Sequence, residues 1–486
     1  MEYKWIVLSN TTIGTLMASL DTNIVLIALP TIGRQLPGAG VFNLLWILLG
    51  YQLVTASVLV NFGRLSDMYG RVRLYNAGFA MFTVGSALCS LSQNASQLIA
   101  FRMIQAVGGA FLFSNSAALL TDAFPPNERG MALGTNQVSI VAGSVTGLVL
   151  GGFLTSVLGW RSIFWVNIPI GLFATVWSHF KLKEIAAKEE KPKIDPYGNV
   201  VFATLLSLIL FGVTAYALGT TCTAAALAMI VAGCLLLPVF IYIEMHTAHP
   251  MFDTSLFRIR MFAAGNLAIF LNALARGAVS LVLVIFLQGP TMGLSPLEAG
   301  IYLIPMSASL VAFGPLSGIL SDKRGARGIA TAGLAVSAAG FLLLAITVGK
   351  HVTIETLLLP LVLVGSGMGL FASPNRSSIM NAVPPHRRGF ASGASTTLVN
   401  VGNTLSLGLA FLVITKSVPL KTLEEVLIGS TSGGGVSYTP FISAIHAVFF
   451  ISVALLAAAV VPSLMRGSGS VNKTDVNEAA AGKFTR

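Results

Sequence analysis

The stretch Gly63-Arg-Leu-Ser-Asp67-Met-Tyr-Gly70-Arg71-Val-Arg73 decides the fold. It is a dense polar island between two long apolar runs. A looser copy, Gly318-Ile-Leu-Ser-Asp322-Lys-Arg-Gly-Ala-Arg327, returns about 255 residues later. A second pair, Pro125-Pro-Asn-Glu-Arg-Gly130 and Pro384-Pro-His-Arg-Arg-Gly389, repeats at about 259 residues. Two separate anchors that share nearly one offset indicate a duplicated unit.

The composition says where that unit sits. The chain is 55% hydrophobic and 10% charged, with a mean hydropathy of +0.82, whereas soluble domains run near 25% charged. Apolar runs of about 20 residues recur from end to end, each long enough to cross a hydrocarbon layer of about 30 Å. The expectation is an all-α polytopic membrane protein with spans near 5–30, 42–62, 72–92, 96–122, 131–157, 162–181, 198–218, 223–243, 261–288, 297–320, 328–348, 354–381, 389–416 and 438–463. The repeat pairs the first six of these fourteen spans with the last six. This gives a six-helix bundle over 1–181, a cytoplasmic linker with two inserted helices over 182–260, a second bundle over 261–463 and a disordered tail over 464–486.

The net charge of +11 invites a nucleic-acid reading, but the basic residues lie in short loops. Arg64, Arg71, Arg73, Arg129, Lys181, Lys183, Arg258, Arg260, Lys323 and Arg324 all fall on the side that holds both termini. That is the bias of a cytoplasmic face, so both termini are expected inside a cell membrane. The charged run Lys181–Asp195 reads as a solvated or interfacial helix, and the outer loop 417–440, with Gly433-Gly-Gly435, as flexible. The three cysteines, Cys89, Cys222 and Cys234, lack metal-ligand spacing. No phosphate-binding Gly-x-x-x-x-Gly-Lys motif and no catalytic constellation is present, so neither a cofactor, a metal nor enzymatic activity is expected.

Five stretches carry a resemblance. Gly63 to Arg73 is similar to the loop signature between spans two and three of the major facilitator superfamily. Arg102-Met-Ile-Gln105-Ala-Val-Gly-Gly109 resembles its span-four motif, with Ala106 where glycine is usual. Trp160-Arg-Ser-Ile-Phe-Trp-Val-Asn167-Ile-Pro169-Ile-Gly171 resembles the start of span six in the fourteen-span drug:proton antiporter branch. Leu20-Asp21-Thr-Asn-Ile-Val-Leu-Ile-Ala-Leu-Pro30 is similar to the branch's span-one motif, with Asn23 and Leu26 replacing Thr and Asn. Gly143-x-x-x-Gly147-Leu148-x-x-Gly151-Gly152 is similar to its antiporter motif, with Leu148 replacing proline. The resemblance implies two pseudo-symmetric bundles plus two central helices, with a substrate site between the bundles.

The residue chemistry bears on that expectation. Asp21 is the only acid well inside a span, where ionisation is costly. It is a proton carrier, or half of a fixed ion pair with an intramembrane arginine. Arg276 falls at the second-half position matching Asp21, with Asn272 one turn earlier on its face. It is a gate partner of Asp21, an anion-binding group or a structural bridge. Arg102 and Gln105, three residues apart, share a face of span four, where Arg102 tunes Asp21 or simply packs. At the loop, Gly63 and Gly70 allow a tight connection, while Asp67 and Arg71 form a charge cluster that gates the inner side, with Asp322 as its counterpart. Gly143, Gly147 and Gly151 make a smooth stripe for helix packing, a hinge without a proline kink.

Three functions compete. The first is proton-coupled export of small amphipathic compounds by alternating access, with Asp21 and Arg102 coupling the proton and Asp21, Gln105, Asn272 and Arg276 lining the cavity. The second is transport of an organic anion or metabolite on the arginines. The third is a membrane sensor that does not transport. The expected partners are a small-molecule substrate, protons and the lipid bilayer. Nucleic acid is not expected, and a monomer suffices.

Overall fold

The computed structural model describes residues 2–125, 128–185, 195–247, 250, 252, 254–289, 291–349, 352–384, 387–419, 422–423 and 438–466. The expected tail beyond Arg466, the stretch around Gly433 and most of the charged run before Asp195 lie outside them. Among the described residues the chain is helical, with no strand. In order it forms α1 (Tyr3–Gln35), α2 (Val41–Tyr69), α3 (Arg71–Ser90), α4 (Ala95–Ala123), α5 (Arg129–Leu158), α6 (Ser162–Trp165), α7 (Asn167–Lys181), α8 (Pro196–Leu218), α9 (Thr223–His246), a short 3-10 turn (Thr254–Arg258), α10 (Arg260–Arg276), α11 (Val279–Gln288), α12 (Pro296–Tyr302), α13 (Ile304–Arg324), α14 (Ala326–Thr347), α15 (Ile354–Asn381), α16 (Arg388–Ser417) and α17 (Thr439–Met465).

Thirteen helices among the described residues are long and apolar enough to cross a membrane. The stretch near 72–92, also expected as a span, forms the helix α3, which is not among these thirteen. It is less apolar than the others because Arg71, Arg73 and Asn76 open it. Three expected spans are interrupted. Pro169 has no N–H to give the Trp165 carbonyl, and the helix breaks at Val166 between α6 and α7. Pro305 likewise withholds a bond from Ile301, and the break falls at Leu303. Between α10 and α11 the chain turns at Gly277, where a Cβ would lie 2.7 Å from Asn403 Cα. There Ala278 N–H donates to Ser406 Oγ at 3.0 Å, and Ser452 Oγ donates to the Ala275 carbonyl at 2.7 Å.

The repeat appears in the packing itself. Helices in lipid gain little from apolar burial against one another, so small residues that let backbones meet carry much of the association. A Cβ on Gly78 would lie 3.2 Å from the Gly108 carbonyl, joining α3 to α4; a Cβ on Gly333 would lie 2.8 Å from the Gly367 carbonyl, joining α14 to α15. Further along the same pairs, Gly85 meets Gln105 and Gly340 meets Val364. The turns match too. Gly70 (φ +107°) and Gly325 (φ +84°) each adopt the conformation that favours glycine, and each donates its N–H to a serine carbonyl four residues back, Ser66 or Ser321.

Contacts divide the described chain into two compact units. The first comprises Met1–Phe240, Val279–Ile304 and Ile414–Phe441; the second comprises Ile241–Ala278, Pro305–Val413 and Ile442–Arg486. Within the first, α8 lays Phe211 against Phe42 and Trp46 of α2, and α8 meets α9 through Gly212 and Gly233. The large side chains exposed on α9, such as Leu235 and Tyr242, suit contact with lipid.

Candidate functional site

The centre of the first unit is a carboxylate held by other helices. Asp21 of α1 is fully buried. Arg102 Nη1 of α4 donates to Asp21 Oδ2 and, at 2.6 Å, to Gln105 Oε1. Gln105 Nε2 donates to Asp21 Oδ1 at 2.9 Å and to Ser86 Oγ of α3 at 2.7 Å. Asn167 Nδ2, at the start of α7, donates to Asp21 Oδ1 at 2.9 Å. The Arg102 guanidinium carbon lies 4.3 Å from the centre of the Tyr51 ring of α2, so the ring face takes up part of the cation's field. Arg102 Nε and Asn167 Oδ1 are buried without a hydrogen-bond partner.

Local sequence explains the convergence. The three-residue spacing puts Arg102 and Gln105 on one face of α4, and the break at Val166 sets Asn167 at a helix start. The glycine stripe supplies closeness. A Cβ at Gly143 would lie 2.5 Å from the Leu16 carbonyl, at Gly147 2.6 Å from the Leu20 carbonyl and at Gly151 2.6 Å from Ile24. Thus α5 rides on the face of α1 flanking Asp21, turn by turn. Below it, Asn136 Nδ2 of α5 donates to Thr15 Oγ1 and Ser116 Oγ, tying α5 to α1 and α4.

The sequence motifs point to Asp21, Arg102 and Gln105, and the structure brings these together. Tyr51, Ser86 and Asn167 carry no role in the sequence reading. Asn167 stands there as one position of the span-six motif, Trp160 to Gly171, with no role of its own. Arg276 and Asn272 belong to the second unit, where Arg276 Nε donates to Asn272 Oδ1 at 3.2 Å beside the break at Gly277. All the described hydrogen-bond partners of the Asp21 carboxylate belong to the first unit.

A second cluster occupies the loop signature. Arg71 Nε donates to Asp67 Oδ1 at 2.8 Å, and Arg71 Nη1 reaches both oxygens of Asp122 at 2.7 Å. The free N–H groups at the start of α3 are taken not by Asp67 but by Glu184, whose carboxylate accepts from Arg71 N at 2.8 Å and Val72 N at 3.1 Å. Glu184 is fixed by its neighbour, since the Tyr3 hydroxyl exchanges two 2.8 Å hydrogen bonds with the backbone of Lys183. Gly63 has open space where a Cβ would stand, so among its described surroundings no neighbouring helix packs against it. Asp322 lies near the end of α13; its side chain is outside the described residues.

Comparison with known proteins places this geometry. The profile of the Major Facilitator Superfamily matches residues 11–407 and, again, 265–476. The riboflavin transporter RibZ of Clostridioides difficile is 35% identical over 85% of this chain and 88% of its own length. The multidrug resistance protein Stp of Mycobacterium tuberculosis is 33% identical over 81% of this chain and 73% of its own. Among solved structures, a bacterial homologue of the human lysosomal transporter Spinster, inward-facing and unoccupied, superposes with a TM-score of 0.67 at 17% identity, covering 96% of this chain and 97% of that one. At that identity the likeness bears on the fold alone. A duplicated helical scaffold, an intramembrane carboxylate network and a family match over most of the chain lead to one conclusion: the protein belongs to the Major Facilitator Superfamily and is a multi-pass membrane transporter of small molecules rather than an enzyme.

Proposed function

We propose that this transporter is a proton-coupled exporter of small amphipathic compounds, of the multidrug-efflux type, working as a monomer in the cell membrane with both termini cytoplasmic. One observation carries the reading: a single buried carboxylate, Asp21, accepts hydrogen bonds from three side chains on two other helices. Ionised, it is an acceptor only and holds all three donors. A proton on it turns one oxygen into a donor and removes the Coulomb attraction to Arg102. The cradle then loosens, and α1 is free to shift along the glycine stripe of α5. Arg102 is the positioning cation and Gln105 the clamp. Asn272 and Arg276, at the break in span nine, contact the substrate. On the inner side the Asp67–Arg71–Asp122 cluster holds the gate, with Gly70 providing its turn and Asp322 its second-half counterpart.

The test uses proteoliposomes with an imposed pH gradient and a panel of cationic, neutral and anionic amphiphiles. Cations should dissipate the gradient with wild-type protein and not with Asp21→Asn. Equal coupling in the variant sinks the proton-carrier role.

A second reading has its own support. The relative at 35% identity is named a riboflavin transporter, and Arg276 is the cation of the Asn272 pair in the second unit. On this reading the substrate is a planar heteroaromatic metabolite whose carbonyls accept from the guanidinium. Saturable uptake of radiolabelled riboflavin, lost in Arg276→Gln and indifferent to cationic drugs, selects it over the first.

A further inference from the structure

The residues that open α1 are tied to two separate stretches of the chain. The Tyr3 hydroxyl donates to the Lys183 carbonyl and accepts from the Lys183 N–H, both at 2.8 Å. The next residue, Glu184, caps the start of α3 through Arg71 N and Val72 N. Gly70 makes room for that carboxylate, since a Cβ there would lie 2.7 Å from Glu184 Oε2. In the other direction, Lys4 Nζ donates to Glu128 Oε2 at 2.8 Å, with Glu2 as a second partner at 3.4 Å. The Trp5 ring meets the Phe124 ring edge-on, their centroids 5.8 Å apart. Phe124 closes α4 just after Asp122.

Together these contacts form a closed circuit within the first unit. One arm runs from Tyr3 through Lys183 and Glu184 to the start of α3. The other runs from Trp5 through Phe124 to the end of α4. Arg71 joins the two arms by its 2.7 Å bonds to Asp122. The Arg71 and Asp122 side chains are 23% and 21% exposed. An ion pair so open to water holds weakly by itself and gains when neighbours fix both of its ends. Phe124 and Leu182 lie buried in one apolar cluster, with Tyr3 packed against it, so both arms rest on the same floor.

The second half repeats the tie. Arg387 stands about 259 residues beyond Glu128, at the matching place in the repeat. Its Nη1 donates at 3.2 Å to Ser255 Oγ, in the 3-10 turn that leads into α10, the counterpart of α1. Each half thus binds the chain entering its first helix to the loop between its fourth and fifth.

We infer that Tyr3, Lys4 and Trp5 form a strap through which α1 sets the Arg71–Asp122 pair. They are positioning residues: they hold the start of α3 and the end of α4 at the spacing where that pair closes. The same helix carries Asp21, about 27 Å further along. The part of the strap in transport rests on the proton-carrier reading above and deepens it. A shift of α1 on protonation of Asp21 reaches the inner-face cluster through the strap, as a displacement of those two helix ends.

The experiment measures hydrogen exchange over residues 70–74 in the full-length protein in detergent, a readout independent of which compound is carried. Lys4→Glu sets a carboxylate beside Glu128 and should speed that exchange roughly tenfold, the loss expected of a charge-assisted bond. Adding Glu128→Lys rebuilds the pair with its charges reversed and should restore slow exchange. Trp5→Leu should act like Lys4→Glu, and Trp5→Phe should not; these two serve if Lys4→Glu does not fold. Faster exchange confined to residues 128–132, with residues 70–74 at the wild-type rate, overturns the strap. So does failure of the reversed pair to restore protection. In proteoliposomes, turnover of ethidium or riboflavin should fall roughly fivefold in Lys4→Glu, with the half-saturating concentration within about twofold, and recover with the reversed pair. Unchanged turnover beside fast exchange overturns its part in transport. The proton-carrier reading is decided separately, by Asp21→Asn.

Discussion

Gln105 and Val364 occupy the same place in the two halves of the duplicated scaffold. Each is the residue against which the facing helix sets a glycine, Gly85 in one case and Gly340 in the other. Gln105 clamps Asp21, whereas Val364 is buried and apolar. The same offsets set Leu361 opposite Arg102 and Phe341 opposite Ser86, and both are buried hydrophobics. The scaffold repeats, whereas the hydrogen-bonded Asp21 network belongs to its first half.

The Asp21–Arg102 pair should behave as a unit. Asp21→Asn leaves Arg102 buried and uncompensated, a loss of about 3–5 kcal/mol when one partner of such a pair is removed. Adding Arg102→Gln should restore much of the thermal stability without restoring proton coupling. A double-mutant cycle on unfolding temperature, read beside proton flux, checks both outcomes.

Gln105→Leu removes one donor from Asp21 and one from Ser86. It should cost about 1–3 kcal/mol, because buried acceptors lose their partners. Arg102 stays in place, so coupling should weaken rather than vanish. Proton flux per substrate moved is the measurement, and loss equal to that of Asp21→Asn would contradict the ranking.

The glycines should separate sharply. At Gly147 a methyl group would sit 2.6 Å from a backbone carbonyl of α1, which cannot retreat as a side-chain tip can. Gly147→Ala should therefore lower the unfolding temperature and slow transport, and Gly147→Val should abolish folded protein. Gly63→Ala, with nothing within 4 Å of the new methyl, should leave both unchanged or gain a few tenths of a kcal/mol from helix propensity. Parallel expression and size-exclusion profiles decide this.

Glu184→Gln keeps the shape of the cap on α3 and removes its charge. The expected cost is about 1 kcal/mol, the scale of a charge at a helix terminus. Tyr3→Phe should act in the same direction by releasing Lys183. Hydrogen exchange over residues 70–74 should speed up in both variants.

Much of this arrangement is legible in the sequence, for reasons that also mark where reading stops. Long apolar runs reveal spans, and the two polar islands reveal the duplication. Asp21, Arg102 and Gln105 stand out because charge and amide inside lipid are expensive. Tyr51 and Ser86 do not, because helices apolar on every side give no pattern that fixes their rotation about the axis; Asn167 stands in the span-six motif, but nothing in the order of residues turns its amide towards Asp21. Glu184 is hidden differently: in a run crowded with lysine and glutamate, nothing in the order of residues says which carboxylate meets a helix start. The breaks at Val166 and Leu303 have prolines beside them, while the break at Gly277 is set by Asn403 and Ser406, far along the chain.

Pairing of Asp21 with Arg102 also bears on how the membrane potential acts on the protein. The ionised pair is electrically neutral, so its movement between the two sides does no work against the field. Once Asp21 takes up a proton, the same assembly carries the full charge of Arg102. Carrying one elementary charge across the whole field changes the energy by about 2.3 kcal/mol per 100 mV. On the proposed proton-carrier reading, voltage acts on the protonated assembly through the charge of one buried arginine and leaves the deprotonated assembly indifferent.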